Sequence, residues 1–401
     1  WVLFPSAALA WRISDEPFMK DLVWLDNLKL RVGYGKTGNS AVSPYQTKGQ
    51  LALRHYVFNN GSSEYIGYAP SVMANDQLTW ETTDQWNVGV DFGFLKNRIN
   101  GTVEFYLQNT KDLLLKRQLP VVSGFSSVMS NVGSTRNKGI EITLNTRNIM
   151  NRNFTWSTDL TFSANKEEIV ELYNGKTDDV GNLWFISQPI DVYYNYKKIG
   201  IWQNTENDLA EMAKFNEKGA NFKPGSIRLE DVDGDYKITE EDKQILGSVR
   251  PKFVASMVNN FEFKGFDLSV FLYASVGGLL RNNIEFMEKP GRGNTVKVDY
   301  WTSTNPTNAF PRPSVDVEKL DYISTLGYDK ADFLRIRNIT LGYTLPEMWS
   351  KKVLMDKIRI YLSANNPAIF TNFTGIDPEG ANGRTCLLYT SPSPRDRSLS
   401  R

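Results

Sequence analysis

Apolar and polar residues alternate along many segments of this chain with a period of two. In the clearest case Trp86, Val88, Val90, Phe92 and Phe94 alternate with polar or small residues over nine positions. Shorter runs of the same kind begin near residues 28, 140, 156, 261, 266 and 358. This period favours β-strands with one apolar and one polar face, so the sequence predicts an all-β, antiparallel protein.

The length of these runs indicates which kind of β protein this is. The best of them match the roughly 9–11 residues of a tilted strand that crosses a membrane. Aromatic side chains also stand near many strand ends, where an interfacial girdle would place them: Trp80, Trp86, Trp156, Tyr343 and Phe370. A large soluble β-sandwich or propeller shows the same alternation, although no repeat of fixed period supports a propeller.

The connections between the predicted strands are unequal in length. Short turns are predicted at Lys96-Asn97 and at residues 150–153, whereas four connections are long and polar: 37–77, 172–194, 203–250 and 281–330. Short turns at one end and long loops at the other are typical of outer-membrane barrels. Soluble β domains rarely carry several loops of this length. Two short helices, at 207–216 and 240–246, are predicted inside one long loop.

Composition excludes several classes of function. Lysine and arginine number 46 against 45 acidic residues, so the net charge of +1 gives no case for nucleic acid. The mean hydropathy is −0.39 and no run approaches the ~18 apolar residues of a membrane helix. The one cysteine, Cys386, and the one histidine, His55, exclude an internal disulfide and a Cys/His zinc site. With no nucleophile motif near His55, we expect a protein that is not an enzyme.

One segment carries the chemistry of a metal site. Asp231, Asp233 and Asp235 occupy positions 1, 3 and 5 of a calcium loop of the EF-hand type, the Lys237 carbonyl position 7, and Asp242 position 12. Carboxylate and carbonyl oxygens at this spacing can surround one hard cation. The sequence therefore predicts a structural Ca²⁺ site formed by these five residues in an extracellular loop.

The motif departs from the usual pattern at two positions. Tyr236 stands at position 6, where glycine normally makes the sharp turn, and Asp242 replaces the longer glutamate at position 12. Ile238 at position 8 is the expected apolar anchor. The alternative is an acidic, solvated turn held by hydrogen bonds from the aspartate side chains to the backbone.

The last residues differ from the rest of the chain. Residues 385–401 are rich in serine, proline and arginine, show neither strand nor helix periodicity, and contain the only cysteine. We therefore expect residues 1–384 to form the domain and 385–401 to be a non-native or disordered tail. The chain begins at Trp1, without a methionine or signal peptide, so further residues are expected upstream.

A set of blocks in consistent order resembles the C-terminal barrel part of SusC/RagA receptors, a family of TonB-dependent outer-membrane transporters. Examples are Gly35-Lys-Thr-Gly-Asn39, Asn137-Lys-Gly-Ile-Glu141 and Phe333-Leu-Arg-Ile-Arg337. The remaining blocks lie at 3–6, 10–16, 28–31, 78–81, 110–114, 131–133, 231–242, 259–269, 338–343, 364–365 and 377–379. Each block alone is weak, but together they span nearly all of residues 1–384.

The resemblance implies an architecture and a set of partners. It implies a transmembrane barrel of about 22 strands, of which this chain would supply about 12–14, with long extracellular loops. It also implies import of oligosaccharides or peptides across the bacterial outer membrane. The implied partners are TonB, through an upstream plug, a SusD-like surface lipoprotein, and membrane lipid. A passive porin or surface adhesin, and a soluble carbohydrate-binding β domain, are the alternatives.

Overall fold

A computed structural model gives the fold of most of the chain. The structure describes residues 3–40, 45, 47–61, 63–125, 127–281, 298–313, 320–375 and 377–379. The expected tail at 385–401, with Cys386, lies outside the described residues. The chain divides into two compact units, described separately below. The first comprises Trp1–Val192, Arg250–Val276 and Leu334–Phe370, and the second Tyr193–Val249, Gly277–Phe333 and Thr371–Arg401.

Strands dominate the described residues, and helices are few. The strands, in chain order, are β1 (Ser6–Arg12), β2 (Leu25–Asn39), β3 (Gln50–Phe58), β4 (Ser63–Val72), β5 (Glu81–Phe94), β6 (Ile99–Lys111), β7 (Leu114–Gln118), β8 (Ser127–Asn131), β9 (Ser134–Met150), β10 (Phe154–Glu171), β11 (Val192–Tyr196), β12 (Lys198–Ile201), β13 (Ile227–Leu229), β14 (Lys243–Ser248), β15 (Phe253–Phe263), β16 (Phe266–Val276), β17 (Leu279–Arg281), β18 (Tyr328–Lys330), β19 (Phe333–Thr344) and β20 (Arg359–Thr371). The α-helices are α1 (Glu206–Glu217) and α2 (Glu347–Ser350).

The first unit is built on one sheet of ten strands, in the order β1-β2-β5-β6-β9-β10-β15-β16-β19-β20. Neighbouring strands are antiparallel wherever the register is defined, as the period of two predicts. Within the part of the chain that the structure describes, this sheet has ten strands, against the expected 12–14. The reason is that several alternating segments pair locally: β3 pairs with β4, and β7 with β8, as separate two-stranded sheets.

The two faces of this sheet differ in polarity. Directly opposite residues share a face, and Val32, Val88 and Phe105 face one another across β2, β5 and β6. One residue further along, the other face carries Arg31, Gly89 and Glu104 in the same order. The alternation seen in the sequence therefore gives the ten-stranded sheet, called the wall below, one apolar face and one polar face.

The connections of the large sheet also differ at its two ends. The turn between β5 and β6 contains Leu95, Lys96 and Asn97, with φ of 56°, 59° and 54°. The Asn97 amide donates to Asp26 Oδ2 at 2.8 Å, which fixes this left-handed turn. Short connections also join β9 to β10 and β15 to β16, whereas the long connections all leave from the other end of the strands. The predicted asymmetry of turns and loops is confirmed.

The second unit is formed by two connections, one between β10 and β15 and one between β16 and β19, which pack together around a shared core. Buried side chains from both connections meet in one cluster: Ile201, Ile227, Leu229, Trp301, Ile323 and Leu326. The expectation of long polar loops is therefore incomplete. These connections are folded, because distant apolar residues bury one another.

A second cluster in this unit surrounds α1. Trp202, Met212 and Phe215 are each at most 3% exposed, and the helix begins after Thr205, whose side chain accepts from the Asp208 amide. The predicted helix at 207–216 is confirmed. The predicted helix at 240–246 is wrong beyond its first turn, because only residues 240–242 turn and β14 then pairs with β11.

Candidate functional site

The acidic loop lies in the second unit, between β13 and β14. Asp231 Oδ1 accepts a hydrogen bond from the Gly234 amide at 2.8 Å, and its Oδ2 accepts from the Tyr236 amide at 2.9 Å. Asp233 Oδ1 accepts from the Asp235 amide at 3.1 Å. These bonds curl the backbone inward, so the side chains at positions 1, 3 and 5 point toward a common centre.

The structure brings three of the five predicted ligand residues together. One carboxylate oxygen from each of Asp231, Asp233 and Asp235 lies within 4.8 Å of the others. Asp235 Oδ1 also accepts from the amide of Lys237, the residue whose carbonyl is the predicted fourth ligand. Each carboxylate oxygen has two lone pairs, so one amide bond leaves acceptor capacity for a cation.

Asp242, the predicted position-12 ligand, is not part of this three-carboxylate group. Its side chain is fully buried, and Oδ1 accepts from the Val232 amide at 2.8 Å. Its Oδ2 accepts from the Thr239 amide at 2.7 Å within a capping box at the following turn. In the structure Asp242 thus ties the two ends of the loop together through the backbone.

The two unusual positions of the motif have structural explanations. Tyr236 adopts φ = 61°, the left-handed conformation that glycine normally supplies at position 6. Its ring packs edge-on against Phe215, with ring centroids 5.4 Å apart, which offsets the backbone cost. Ile238 packs against both apolar clusters of the unit, so the prediction of an apolar anchor at position 8 is confirmed.

The electrostatics of the loop favour a bound positive charge. The bond from the Asp235 amide lowers the pKa of the Asp233 carboxyl, but desolvation and the neighbouring Asp235, Asp231 and Asp242 raise it more, so the pKa lies above its ordinary value. A carboxylate whose ionised form is disfavoured by neighbouring carboxylates gains from a cation placed among them.

Beside the loop, Tyr196 is surrounded by charged and aromatic groups. The Tyr196 hydroxyl donates a hydrogen bond to the Glu240 carboxylate at 3.3 Å. Desolvation and this nearby carboxylate raise the pKa of Tyr196 to about 12. Lys243 lies 5.2 Å from the Tyr196 ring centroid and bonds Glu240 at 2.6 Å, which lowers the pKa of that carboxyl. The Tyr322 ring packs edge-on at 5.5 Å.

This arrangement predicts an alkaline loss of stability. Because the folded-state pKa of Tyr196 is raised from 10.0 to about 12, its stabilising contribution is full below pH 10 and is lost as pH rises toward 12. After discounting for solvent screening, we expect the free energy of unfolding of the second unit to fall by about 1 kcal/mol over this pH range. Tyr196→Phe should remove this component, measured by hydrogen exchange at pH 9 and 11. Tyr45→Phe, at a 79% exposed tyrosine, should leave the pH dependence unchanged. A Tyr196→Phe profile identical to the wild type would contradict the prediction.

The polar face of the first unit carries a charged network that the sequence reading did not identify. Arg31 donates through Nε and Nη2 to the two oxygens of Asp91, both at 3.0 Å, and reaches Glu104 at 3.4 Å. The guanidinium lies over Gly89, where a Cβ would approach Nη2 to 2.8 Å. Arg31, Asp91 and Glu104 each occupy polar positions of alternating strands, which is visible in the sequence. Only the pairing of β2, β5 and β6 shows that the three side chains meet.

The wall and its loops define a class of protein. Among the described residues no helix is long and apolar enough to cross a membrane. The described sheet has an apolar face and a charged polar face, short turns at one end and long folded connections at the other, which is the construction of an outer-membrane barrel wall.

A family model described as "TonB dependent receptor-like, beta-barrel" matches residues 1–366, and the chain belongs to that family of outer-membrane proteins. The chain is 34% identical over 399 residues to TonB-dependent receptor P3 of Formosa agariphila, covering 94% of this chain and 38% of the relative. It is 31% identical over 414 residues to TonB-dependent receptor SusC of Bacteroides thetaiotaomicron, covering 98% and 39%.

Solved structures agree with the sequence relatives. The RagAB peptide transporter superposes with a TM-score of 0.74 at 25% identity, over 94% of this chain and 40% of the matched chain. The resemblance to SusC/RagA receptors and the antiparallel barrel fold are therefore confirmed. The chain spans about two fifths of the length of these relatives.

Proposed function

We propose that this chain forms barrel wall and surface loops of a TonB-dependent importer that takes up oligosaccharides or peptides. The observation that carries this proposal is the ten-stranded wall with opposed apolar and polar faces, in a chain that matches SusC and RagAB over more than nine tenths of its length. The polar face, with Arg31, Asp91 and Glu104, would line the interior through which solute passes.

The folded loops support import of a large solute over passive diffusion. Long surface loops occur in outer-membrane barrels generally, but here two long connections pack into one unit with its own core. We propose that this unit grips the solute and a SusD-like surface lipoprotein, and that TonB acts through a plug in another part of the receptor. A porin or adhesin is the competing function, and a soluble carbohydrate-binding domain is a weaker one.

Uptake by cells expressing the complete receptor tests the proposal. Fluorescent oligosaccharides and peptides above the porin size limit would be supplied with and without a protonophore. Import requires uptake that disappears with the receptor gene and with the proton gradient, because TonB is driven by that gradient. Uptake that survives the protonophore would instead indicate a passive porin, and surface binding without uptake an adhesin. Recovery of the receptor in buffer without detergent would favour the soluble domain.

We further propose that Ca²⁺ binds the acidic loop in a structural role, with Asp231, Asp233 and Asp235 and the Lys237 carbonyl as ligands. The proposal is supported by three carboxylates within 4.8 Å and by their mutual repulsion at Asp233. Asp242, which completes the motif in sequence, is fully buried and is not part of the three-carboxylate group, so we propose a backbone role for it.

Titration calorimetry of the complete receptor with CaCl₂ tests this site. An affinity of about 10⁻⁵ to 10⁻³ M is expected, and Asp233→Asn should weaken it at least about tenfold because one anionic ligand is lost. Glu217→Gln, an exposed carboxylate at the end of α1, is the matched control and should leave the affinity unchanged. Equal heats for Asp233→Asn and the wild type would show that this loop is only an acidic turn held by its own backbone bonds.

A further inference from the structure

The apolar face of the large sheet has a sharply defined edge. Between the row of Leu28 and the row of Val32 it carries no charged side chain across β2, β5, β6, β9 and β10. The alternating run from Trp86 to Phe94 spans about 26 Å along the strand at about 3.3 Å per residue, comparable with the apolar band of outer-membrane barrels. The Tyr34 and Trp86 rings pack in a tilted arrangement at the edge nearer the long connections, with ring centroids 4.8 Å apart.

From the row of this aromatic pair onward, toward the long connections, the same face becomes cationic. We call this the basic patch, and its members come from β2, β6, β9 and β10: Lys36, Lys111, Arg136, Lys138 and Lys166. The register places all of them on the apolar side of the wall. Lys138 lies opposite Leu107 and Lys166, and Arg136 lies opposite Asn109 and Glu168.

The charges in the patch are unequal. Five cations share this surface with three carboxylates, Asp84, Glu168 and Glu171. Glu168 is 15% exposed and holds Arg136 and Lys166 only loosely, at 3.5 and 3.6 Å. The Lys166 side chain is 65% exposed. Asp84 instead accepts a hydrogen bond from the Tyr34 hydroxyl at 3.0 Å. The Lys166 ammonium group is therefore exposed, while the Glu168 carboxylate is largely covered.

The patch also contains a concave site. A cavity of about 240 Å³ opens among Asp84, Asn109, Lys111, Ser134 and Arg136. Arg136 Nε donates to Asn109 Oδ1 at 3.0 Å, which orients the guanidinium beside the cavity. The site offers a fork of N–H donors, an ammonium, a hydroxyl and an amide, a donor set suited to phosphate.

We propose that the basic patch binds the phosphorylated headgroup of an outer-leaflet glycolipid. The patch lies on the lipid-facing side and begins in the row of the aromatic residues that mark the membrane interface, which is the depth of lipid headgroups. Its excess positive charge complements a phosphate, and its cavity admits one. A protein-binding surface would be expected to have an apolar centre, whereas all the residues that line this cavity except Val170 are polar.

Thermal unfolding of the complete receptor in detergent, with added lipid, tests the proposal. Phosphorylated lipid A, its dephosphorylated form and inorganic phosphate would be compared over a concentration series. Phosphorylated lipid A should raise the unfolding temperature, and the triple variant Lys111→Gln, Arg136→Gln, Lys138→Gln should weaken its apparent affinity about tenfold or more. The matched control is Lys96→Gln, Arg152→Gln, Lys264→Gln, which removes the same charge at the short turns and should retain wild-type affinity.

A variant that is expected to tighten lipid binding separates the loss of a binding site from damage to the fold. Glu168→Gln removes the carboxylate that competes for Arg136 and Lys166, so it should tighten binding about two- to threefold. Equal binding of the dephosphorylated lipid, or wild-type affinity in the triple variant, would overturn the proposal. So would stabilisation by inorganic phosphate alone, which indicates an anion site without lipid. Loss of a co-purifying lipoprotein with unchanged lipid binding would mark the patch as a protein interface.

Discussion

Replacing Trp202 with alanine is expected to destabilise the second unit by about 3–5 kcal/mol, the usual cost of removing a buried aromatic side chain. Trp202 is 1% exposed and contacts Phe215 and Phe222, with ring centroids 5.9 and 6.1 Å away. Arg228 lies over the same ring at 4.4 Å and pairs with Asp208 at 3.2 Å. Losing the indole therefore leaves a cavity beside an arginine that loses its aromatic support.

Hydrogen exchange of the complete receptor, read by mass spectrometry, measures this effect. Peptides from α1 and β13 should exchange faster by a factor that corresponds to the lost stability, while peptides from β5 and β6 should not change. Trp349→Ala, at a tryptophan that is 56% exposed, is the matched control and should cost at most about 0.5 kcal/mol. Protection of α1 and β13 equal to that of the wild type would show that the cluster around Trp202 does not hold the unit together.

Replacing Asp242 with alanine is expected to cost about 3 kcal/mol in the same unit. The substitution removes the acceptor of both the Val232 and the Thr239 amides, and an unsatisfied buried donor costs about 1–3 kcal/mol. Asp242→Asn should cost less, because the asparagine side chain keeps one carbonyl oxygen. The measurement is exchange of the amides of residues 231–243 with Ca²⁺ removed by a chelator, so that only the backbone role of Asp242 contributes.

The two roles open to Asp242 give different results when Ca²⁺ is restored. If the side chain only ties the loop ends, Asp242→Asn loses the same stability with and without the ion. A penalty that appears only with Ca²⁺ would identify Asp242 as a ligand, contrary to its place outside the three-carboxylate group. Glu241→Gln, one residue earlier and exposed, should change neither value.

The wall of the fold could be predicted from the sequence because its signal is local. Alternation at Trp86 to Phe94 directly gives a strand with two different faces, and the turn at Lys96 and Asn97 lies where the alternation stops. The number of strands in the large sheet could not be predicted, since alternation does not reveal whether a segment such as β3 joins that sheet or pairs with its neighbour.

The second unit could not be predicted because its core is assembled from distant residues. Ile201, Trp301 and Ile323 are buried together, yet they lie far apart along the chain in segments without a clear period. The acidic motif gave the local geometry of the loop, in which Asp231 and Asp233 turn the backbone. It did not reveal that Asp242 is buried, because that depends on packing of the surrounding core.

The shared core of the two long connections has a mechanical consequence. Since Ile201 and Ile227 of one connection are buried against Trp301 and Ile323 of the other, neither can swing independently without exposing apolar surface to water. The two connections should therefore move together as one rigid unit. A single protease cut within either segment would leave both pieces attached, and any force that displaces one segment would be carried into the other.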